Sequence, residues 1–524
     1  MAQAPVLSKK FGRLSGDEAW RQNLDLATMS AAKTETSFGP RGAYKMVAYN
    51  RGPEKVVKVT KDAVEVLNEL EVQYPAVKTI AEAARLQREQ AGDGVSAFVI
   101  LLAGLLKEAR AMMDHGLHPT VILRGYHDAA REALLVVDAA AHAPGSDATE
   151  RLLRVVDCGR GIISGGLLLA VSEAAERARS DGGIDFRRIR LAKKSGKTAS
   201  DSVLIRGVLI RKAKAHPGMP DSMDAAKVAV VSRKLDVRPV ESLMKGKGPF
   251  SMKLRIEPGD IEKFKDAEKE LRKEIADAVL ASGADVVICR SKIAEEVADR
   301  LARGGVLAFD MVDEGDVEAA AEATGAVVVG DVKDIREGDL GFTTRVERQT
   351  IDGIEHVAMQ AKRGSTIVLR GSSEQELQES ERVVRSAITV LRRAQKDPRL
   401  VPGGGAAYMQ VAGRARELAL RYASREQMAV QAFADAIERI PECLAANYGL
   451  GRAMVMAELR GCHARGPSTM GIGRSGCAPM DTEGIEELAL ITKSVIHRAV
   501  EVATLLLRID DYFYVKELPL VHKK

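Results

Sequence analysis

A chain of 524 residues is long enough for about three or four domains, and its 46% of hydrophobic residues are ample for buried cores. Its 78 basic and 73 acidic residues are mixed throughout and leave a net charge of +5, and only 4% of residues are aromatic, so the composition argues against a dedicated nucleic-acid binder. No stretch has the length of a membrane span, the N-terminus lacks the apolar core of a signal peptide, and the 5 cysteines form no Cys-x-x-Cys pair. We therefore expect a soluble cytoplasmic protein with no zinc site and no nucleic-acid or membrane partner.

The first 144 residues have mainly helical periodicity. In chain order, helical patterns cover 17–33, a stretch from Ala63, a stretch that ends before Gly92, 97–113 and 120–141. A strand over 56–59 leads into Asp62, and Pro144-Gly145-Ser146 predicts a domain edge.

A Gly92-Asp93-Gly94 turn lies between two of these helices. Its backbone N–H groups can converge on an anion, and the next helix, predicted to start at Ser96, would point its positive end at the same place. Asp93 would then hold Mg²⁺ against a phosphate. An ordinary turn has the same residues. The phosphate interpretation is favoured because two more glycine loops, at 37–42 and 400–406, also adjoin predicted helices.

From about Ile184 strands and helices alternate. They are β-rich stretches at 203–210 and 228–231, a charged helix capped by Asp260 and running to Ser282, strands at 285–289, 306–309 and 326–329, and helices at 293–303 and 317–324. This alternation predicts a compact α/β domain with a partly parallel sheet. It contains no Gly-x-Gly-x-x-Gly, which argues against a dinucleotide site.

The last third is mainly helical again. It has a strand at 366–371, helices at 374–396, 425–447 and 484–507, and an alternating tail at 512–515 that fits an edge strand. If the three glycine loops converge on one phosphate ligand, the two helical parts form one domain and the α/β middle is an insertion.

Short motifs recur along almost the whole chain in a specific order. They are FGPRG at 38–42, TKD at 60–62, EVQYP at 71–75, GDG at 92–94, GLHP at 116–119, VPGGGA at 401–406, QAFADA at 431–436 and LRIDD at 507–511. Their order and spacing resemble the group II chaperonins, the family of the archaeal thermosome and the eukaryotic cytosolic TRiC/CCT. Within that family, 14–19, 62–63, 87–94 and 397–405 are most similar to the theta-type subunit.

The resemblance implies an α+β multidomain chaperonin fold. Its parts would be a mostly helical equatorial ATP domain (1–144 and 399–524), an intermediate hinge domain (145–205 and 361–398), and an α/β apical, client-binding domain (206–360) with a lid protrusion near 240–262. It also implies ATP and Mg²⁺ as cofactors, other chaperonin subunits as partners in a double ring (a hetero-oligomer), and unfolded proteins as clients. The Met-, Phe- and Lys-rich stretch 243–257 fits either a lid tip or client contact, or a mobile loop.

The resemblance assigns a role to each matching site residue. Gly39, Pro40 and Gly42 would touch phosphate, as would Gly94, Val95 and Ser96; Asp93 would bind the metal; Gly404, Gly405 and Glu487 would lie at the nucleoside; Asp62 would lie beside the terminal phosphate.

Three departures from the family pattern affect hydrolysis. Val95 replaces a phosphate-facing threonine, and Arg160 replaces a lysine of the intermediate segment. Ser386 falls where the family has the aspartate that orients the attacking water, and a neutral serine cannot act as that base. Loss of a positioned base typically costs about 10²–10⁴-fold in rate. We therefore expect ATP binding with weakened hydrolysis.

Two alternatives remain open at this point. One is a structural subunit of a chaperonin-like complex that binds no nucleotide. The other, a phosphotransferase or hydrolase, is disfavoured because the chain has neither Gly-x-x-x-x-Gly-Lys-Ser/Thr nor a recognisable nucleophile–base pair.

Overall fold

The computed structural model describes residues 11–51, 54–69, 75–157, 162, 165–180, 183–237, 258–351, 353–509 and 511–515. Most of the predicted lid protrusion, 240–257, lies outside these residues, as does the 243–257 stretch. The chain forms two compact units: Met1–Ile163 with Arg382–Lys524, and Ser164–Glu381. No helix among the described residues is long and apolar enough to cross a membrane.

The helices of the described chain are numbered in order. They are α1 (Asp17–Glu35), α2 (Ala63–Glu69), α3 (Pro75–Ala91), α4 (Val95–Asp114), α5 (Pro119–Ala140), α6 (Ala148–Asp157), α7 (Gly165–Arg177), α8 (Pro258–Ala281), α9 (Glu295–Arg303), α10 (Glu314–Thr324), α11 (Glu374–Lys396), α12 (Ala406–Ala419), α13 (Glu426–Tyr448), α14 (Arg452–His463), α15 (Met480–Glu483) and α16 (Ala489–Leu507).

The strands are numbered in the same way. They are β1 (Phe11–Ser15), β2 (Lys45–Arg51), β3 (Glu54–Thr60), β4 (Arg179–Ser180), β5 (Gly183–Ile184), β6 (Ile189–Ser195), β7 (Val203–Ile205), β8 (Gly207–Ile210), β9 (Ser222–Val231), β10 (Val286–Cys289), β11 (Leu307–Phe309), β12 (Val328–Val329), β13 (Gly341–Ile351), β14 (Ile354–Gln360), β15 (Ser365–Gly371), β16 (Leu400–Pro402), β17 (Met470–Ile472), β18 (Cys477–Pro479), β19 (Glu486–Leu488) and β20 (Asp511–Val515).

Helix α4 is the centre of the first unit. Its apolar run is buried on every side, with all residues from Ala97 to Leu106 in the core. It packs against α1 and α5 from the N-terminal part of the chain and against α13 and α16 from the C-terminal part. Because each large aliphatic side chain buried in this way contributes about 1.5–3 kcal/mol, this helix joins the two chain segments into one core.

The two ends of the first unit's chain pair with each other. β1 and β20 form an antiparallel ribbon with Phe11 opposite Val515. The predicted tail strand is therefore present, but its partner β1 was not predicted. The strand predicted at 56–59 is β3, which forms a hairpin with the unpredicted β2.

The second unit contains the predicted α/β sheet. Its strand order is β11-β10-β9-β13-β14-β8, with β12 also paired to β9. The pairs among β9, β10, β11 and β12 are parallel and the others are antiparallel, which confirms a partly parallel sheet. A smaller sheet, β6-β15-β7, completes the unit with α7.

Four predicted helix starts were wrong by two residues or more, including those of α9 (Glu295 instead of Ile293) and α10 (Glu314 instead of Val317). Asp260 does not cap its helix, because α8 already begins at Pro258. The helix predicted from Gly484 begins only at Ala489, because residues 486–488 form β19 and pair with β16, with Glu487 opposite Val401. Gly484 instead ends α15 in a left-handed conformation with φ 66°. This correction matters for function, since it places Glu487 on a strand next to the third glycine loop.

Candidate nucleotide site

A cavity of about 640 Å³ in the first unit brings the three glycine loops together. Of the residues predicted for the site, those that line it are Gly39, Pro40, Asp62, Asp93, Gly94, Val95, Ser96, Ser386, Gly404, Gly405 and Glu487. Gly42 is not among the lining residues, and Arg160 lies outside the described part of the chain. The cavity is therefore assembled from segments that are far apart in sequence.

The Gly92-Asp93-Gly94 turn requires its glycines. Gly92 and Gly94 have φ of 84° and 81°, a region that residues with a side chain rarely adopt. A Cβ on Gly92 would also lie 2.9 Å from the carbonyl oxygen of Ser386, so α11 packs directly on this turn. Helix α4 begins at Val95, one residue earlier than predicted, and Gly94 caps it without any side-chain acceptor. Its first N–H groups therefore remain available to an anion in the cavity.

Gln87 holds this turn in place. Its fully buried amide donates from Nε2 to the carbonyl oxygen of Asp93 at 3.1 Å. Its Oε1 accepts from Ser494 Oγ at 2.8 Å and from Arg498 Nε at 3.0 Å, both on α16. Because both polar atoms of this buried amide are hydrogen-bonded, Gln87 fixes the turn to α16.

The first glycine loop forms the opposite wall. Lys61 Nζ donates to the carbonyl oxygen of Pro40 at 3.1 Å, and Asn447 Nδ2 donates to that of Phe38 at 2.8 Å. Gly42 closes the loop by donating its N–H to Gly39, and a Cβ there would lie 2.2 Å from the Ser37 carbonyl oxygen. Gly42 thus shapes the loop instead of facing the cavity. Ser37 is among the lining residues, and its buried hydroxyl has no hydrogen-bond partner among the residues that the structure describes.

The third glycine loop supplies a second uncapped helix start. Gly405 precedes α12 in a left-handed conformation and offers no side-chain cap. Tyr408, Leu444 and Ile472 line the cavity beside it and make this side apolar. An apolar wall next to two open helix N-termini suits a ligand with a flat apolar part and an anionic part.

Glu487 is the acidic residue of this apolar side. Burial among the cavity-wall residues raises the pKa of its carboxyl to about 7, and the negative charge of Asp93 adds to the increase. Burial likewise raises the pKa of the Tyr408 phenol, with Glu487 as a second cause. At neutral pH the Glu487 carboxyl is therefore about half protonated and can both donate and accept hydrogen bonds.

Asp62 lies between two arginines. Its Oδ1 accepts the backbone N–H of Glu65 at 3.0 Å and so caps α2. The same oxygen accepts from Arg88 Nη1 at 3.2 Å, and Oδ2 accepts from Arg382 Nη1 at 2.8 Å. The carboxylate is only 6% exposed, and both of its oxygens accept hydrogen bonds from protein donors.

Helix α11 contributes no carboxylate to the cavity wall. Its lining residues are Arg382, Ser386 and Val390, which lie on one face at helical spacing. Ser386 is buried, and its neutral hydroxyl is too weak a base to take a proton from water.

Several functional residues were not singled out from the sequence: Ser37, Lys61, Gln87, Arg88 and Arg382. Lys61 and Gln87 lie inside motifs that were recognised, and Arg382 precedes Ser386 by one helical turn, so their place near the site had a sequence signal. The pairing of Asp62 with Arg382, 320 residues away, had none.

A metal would have few protein ligands here. Among the described residues no group of three or more His, Cys, Asp or Glu side chains is arranged to hold a metal ion. A single carboxylate, Asp93, suits Mg²⁺, which is commonly bound by one or two carboxylates together with phosphate oxygens. The residues present therefore fit a magnesium–nucleotide complex.

Comparison with known proteins agrees with this geometry. The model of the TCP-1/cpn60 chaperonin family matches residues 31–516. Thermosome subunit alpha of Archaeoglobus fulgidus is 34% identical over 98% of this chain and 95% of its own. Thermosome subunit beta of Thermoplasma acidophilum is 33% identical over 98% and 96%, and the thermosome subunit of Methanopyrus kandleri is 33% identical over 98% and 95%. The architecture described above is accordingly a multidomain α+β chaperonin fold, and the chain belongs to the TCP-1/cpn60 family as a group II chaperonin.

Proposed function

We propose that this chain is an ATP-binding subunit of a double-ring chaperonin that encloses unfolded proteins, and that its own ATP hydrolysis is weak. The observation that carries the proposal is the single cavity at which three glycine loops, two uncapped helix starts and Asp93 meet, next to a helix that offers Ser386 where a base is needed. The proposed phosphate cradle is better preserved than the hydrolytic group, because Ser386 offers no base.

Each part of the nucleotide has a matching wall. The phosphates suit the N–H groups that follow Gly94 and the loop at Gly39 and Pro40. Gly404 and Gly405, with the apolar wall and Glu487, suit the nucleoside. When bound, Mg²⁺ neutralises phosphate charge and polarises the terminal phosphoryl group, and Asp93 is its protein ligand.

Weak hydrolysis follows from the groups around the terminal phosphate position. Ser386 is not basic, Val95 offers no hydroxyl, and both oxygens of Asp62 are engaged by arginines. None of these three residues therefore offers an unengaged carboxylate that could orient a water molecule. Arg160, assigned to the position of a family lysine, would keep a positive charge without the shape of a lysine.

The division of the chain into domains and its place in a ring belong to the same proposal. We infer equatorial segments at 1–144 and 399–524, intermediate segments at 145–205 and 361–398, and an apical segment at 206–360. The similarity of 14–19, 62–63, 87–94 and 397–405 to the theta-type subunit supports a place in a hetero-oligomeric ring. A cytoplasmic location agrees with the scattered cysteines.

A titration with fluorescent ATP, with and without Mg²⁺, tests the nucleotide function. We expect saturable Mg²⁺-dependent binding by wild type and its loss in Asp93→Ala, because the metal would lose its protein ligand. Asp114→Ala, at the exposed far end of α4, is the matched control and should bind like wild type. Equal binding by Asp93→Ala would remove Asp93 from the site, and no binding by wild type would favour the nucleotide-independent structural subunit.

A further inference from the structure

Two arginines from different helices share one carboxylate in the cavity wall. Arg88 on α3 reaches Asp62 Oδ1 at 3.2 Å, and Arg382 on α11 reaches Asp62 Oδ2 at 2.8 Å. Arg88 also contacts Glu65 Oε1 at 3.3 Å. The arginine side chains are 24% and 17% exposed, and both line the cavity, so their remaining exposure includes the ligand space.

The position of Arg382 relative to the Gly92-Asp93-Gly94 turn is set by helix packing. Ser386, one turn after Arg382, contacts Gly92 so closely that a Cβ on Gly92 would lie 2.9 Å from the Ser386 carbonyl oxygen. Further along the same helix face, Val390 would lie 3.0 Å from that Cβ, and Arg393 donates to the carbonyl oxygen of Gln90. One face of α11 therefore lies along the α3–α4 turn, and Arg382 continues this face towards Asp62.

A guanidinium group prefers a phosphate to a single carboxylate when both are within reach. It presents a planar fork of donors that matches phosphate oxygens, and a terminal phosphate carries more negative charge than Asp62. A triphosphate in the cavity would thus compete with Asp62 for Arg382, whereas a diphosphate lacks the group that reaches it. Until a triphosphate binds, the contact with Asp62 holds Arg382 in place.

We propose that Arg382, supported by Arg88, binds the terminal phosphate of a nucleoside triphosphate and makes the site select triphosphate over diphosphate. The inference rests on the proposed nucleotide function and adds a specificity-determining residue to it. Because Ser386 on the same helix face supplies no base, we expect the bound triphosphate to be hydrolysed only slowly. No covalent bond is made or broken in this step.

The test is a double-mutant cycle read out as the Kd of Mg-ATP and Mg-ADP for the full chain. In wild type we expect ATP to bind more tightly than ADP. Arg382→Gln should weaken ATP about 10–100-fold, the usual value of a charged hydrogen bond, and change ADP by less than about threefold. Asp62→Asn keeps the oxygen that caps α2. If Arg382 contacts the phosphate directly, Arg382→Gln still weakens ATP at least tenfold in the Asp62→Asn background.

Controls separate contact from structure. Arg85→Gln, on α3 but paired with Glu82 and Glu89 away from the cavity, should leave both constants unchanged. If Arg382→Gln does not fold, as judged by circular dichroism, Arg382→Lys replaces it and should lose ATP affinity selectively but by a smaller factor.

Four results would overturn the inference. Equal losses of ATP and ADP would make Arg382 structural, and an effect that vanishes in the Asp62→Asn background would mean that it acts only by neutralising Asp62. If wild type binds neither ATP nor ADP, the proposed function is rejected as well. If wild type and Arg382→Gln both bind the two nucleotides normally, the inference alone is rejected.

Discussion

At the level of single residues, the proposed weak hydrolysis depends chiefly on the group at position 386. Ser386 lines the cavity on the face of α11 that packs against the Gly92-Asp93-Gly94 turn. A carboxylate at this position would lie beside the same turn and could orient a water molecule. The neighbouring Arg382 would favour its charged form, since an opposite charge one helical turn away stabilises a carboxylate.

Ser386→Asp should therefore raise ATP turnover by at least about tenfold, because it returns a base to a preserved phosphate cradle. Adding Val95→Thr should raise turnover further by restoring a phosphate-side hydroxyl. Phosphate release under saturating ATP is the measurement. Ser386→Asn has the same shape without a base and should give no gain; equal turnover in Ser386→Asp and wild type would mean that another residue supplies the base.

Glu487 predicts an unusual dependence of stability on pH. Its pKa is raised to about 7 in the folded protein by burial and by Asp93, from an ordinary value near 4.5. Below the ordinary value the carboxyl is protonated in both states and its favourable contribution is fully present. Between the ordinary and the folded pKa the unfolded chain has released the proton, whereas the folded protein still binds it. The free energy of unfolding therefore falls as pH rises, and the contribution of about 2–4 kcal/mol is lost once pH has passed the folded pKa.

Denaturation midpoints of the nucleotide-free protein between pH 4.5 and 8 measure this effect. Glu487→Gln should flatten the decline, because the amide is neutral throughout. Glu483→Gln, at an exposed carboxyl of the same wall, is the control and should leave the decline in place. Parallel curves for wild type and Glu487→Gln would show that Glu487 is charged in the folded state.

At the level of elements, the contact between the α3–α4 turn and α16 decides how rigid the phosphate cradle is. Gln87→Ala would leave the Asp93 carbonyl, Ser494 and Arg498 without their shared partner. We expect a loss of about 1–3 kcal/mol in stability and a weaker affinity for Mg-ATP, because the turn is no longer fixed. Gln90→Ala, one turn later on α3 and exposed, removes a single hydrogen bond from Arg498 and should cost much less. Thermal unfolding and ATP titration of both variants provide the comparison; similar losses in the two would contradict a special role of Gln87.

Elements with a strong local pattern were predictable from the sequence, and long-range pairings were not. The amphipathic run of α11 gave its bounds, 374–396, and the apolar run of α4 gave both the helix and its burial. The sequence pattern predicts helix at β19, because three residues carry too little periodicity to indicate a strand. Pairing with β16, about 85 residues earlier, makes them a strand. In the same way the glycine loops indicated the cavity, whereas the arginines around Asp62 depend on contacts between distant segments.

At the level of the whole molecule, membership of the group II chaperonins predicts assembly. We expect the purified chain, with partner subunits where needed, to form double rings in negative-stain images and to suppress aggregation of a chemically denatured protein. If assembly needs partners, the hetero-oligomeric, theta-like place in the ring gains support. A chain that stays monomeric with every nucleotide and partner tested would contradict the prediction.

The division of the first unit between both ends of the chain also sets the order of events during translation. Helix α4 is complete at Asp114, but α13 does not begin until Glu426, about 310 residues later. At a synthesis rate of roughly 5–20 residues per second, the apolar face of α4 waits about 15–60 s for that partner, and longer for α16. The α/β unit, encoded in the interval, can fold within this time. We therefore expect a nascent chain of this protein to expose a core helix on the ribosome and to be itself a substrate for the chaperones that shield emerging polypeptides.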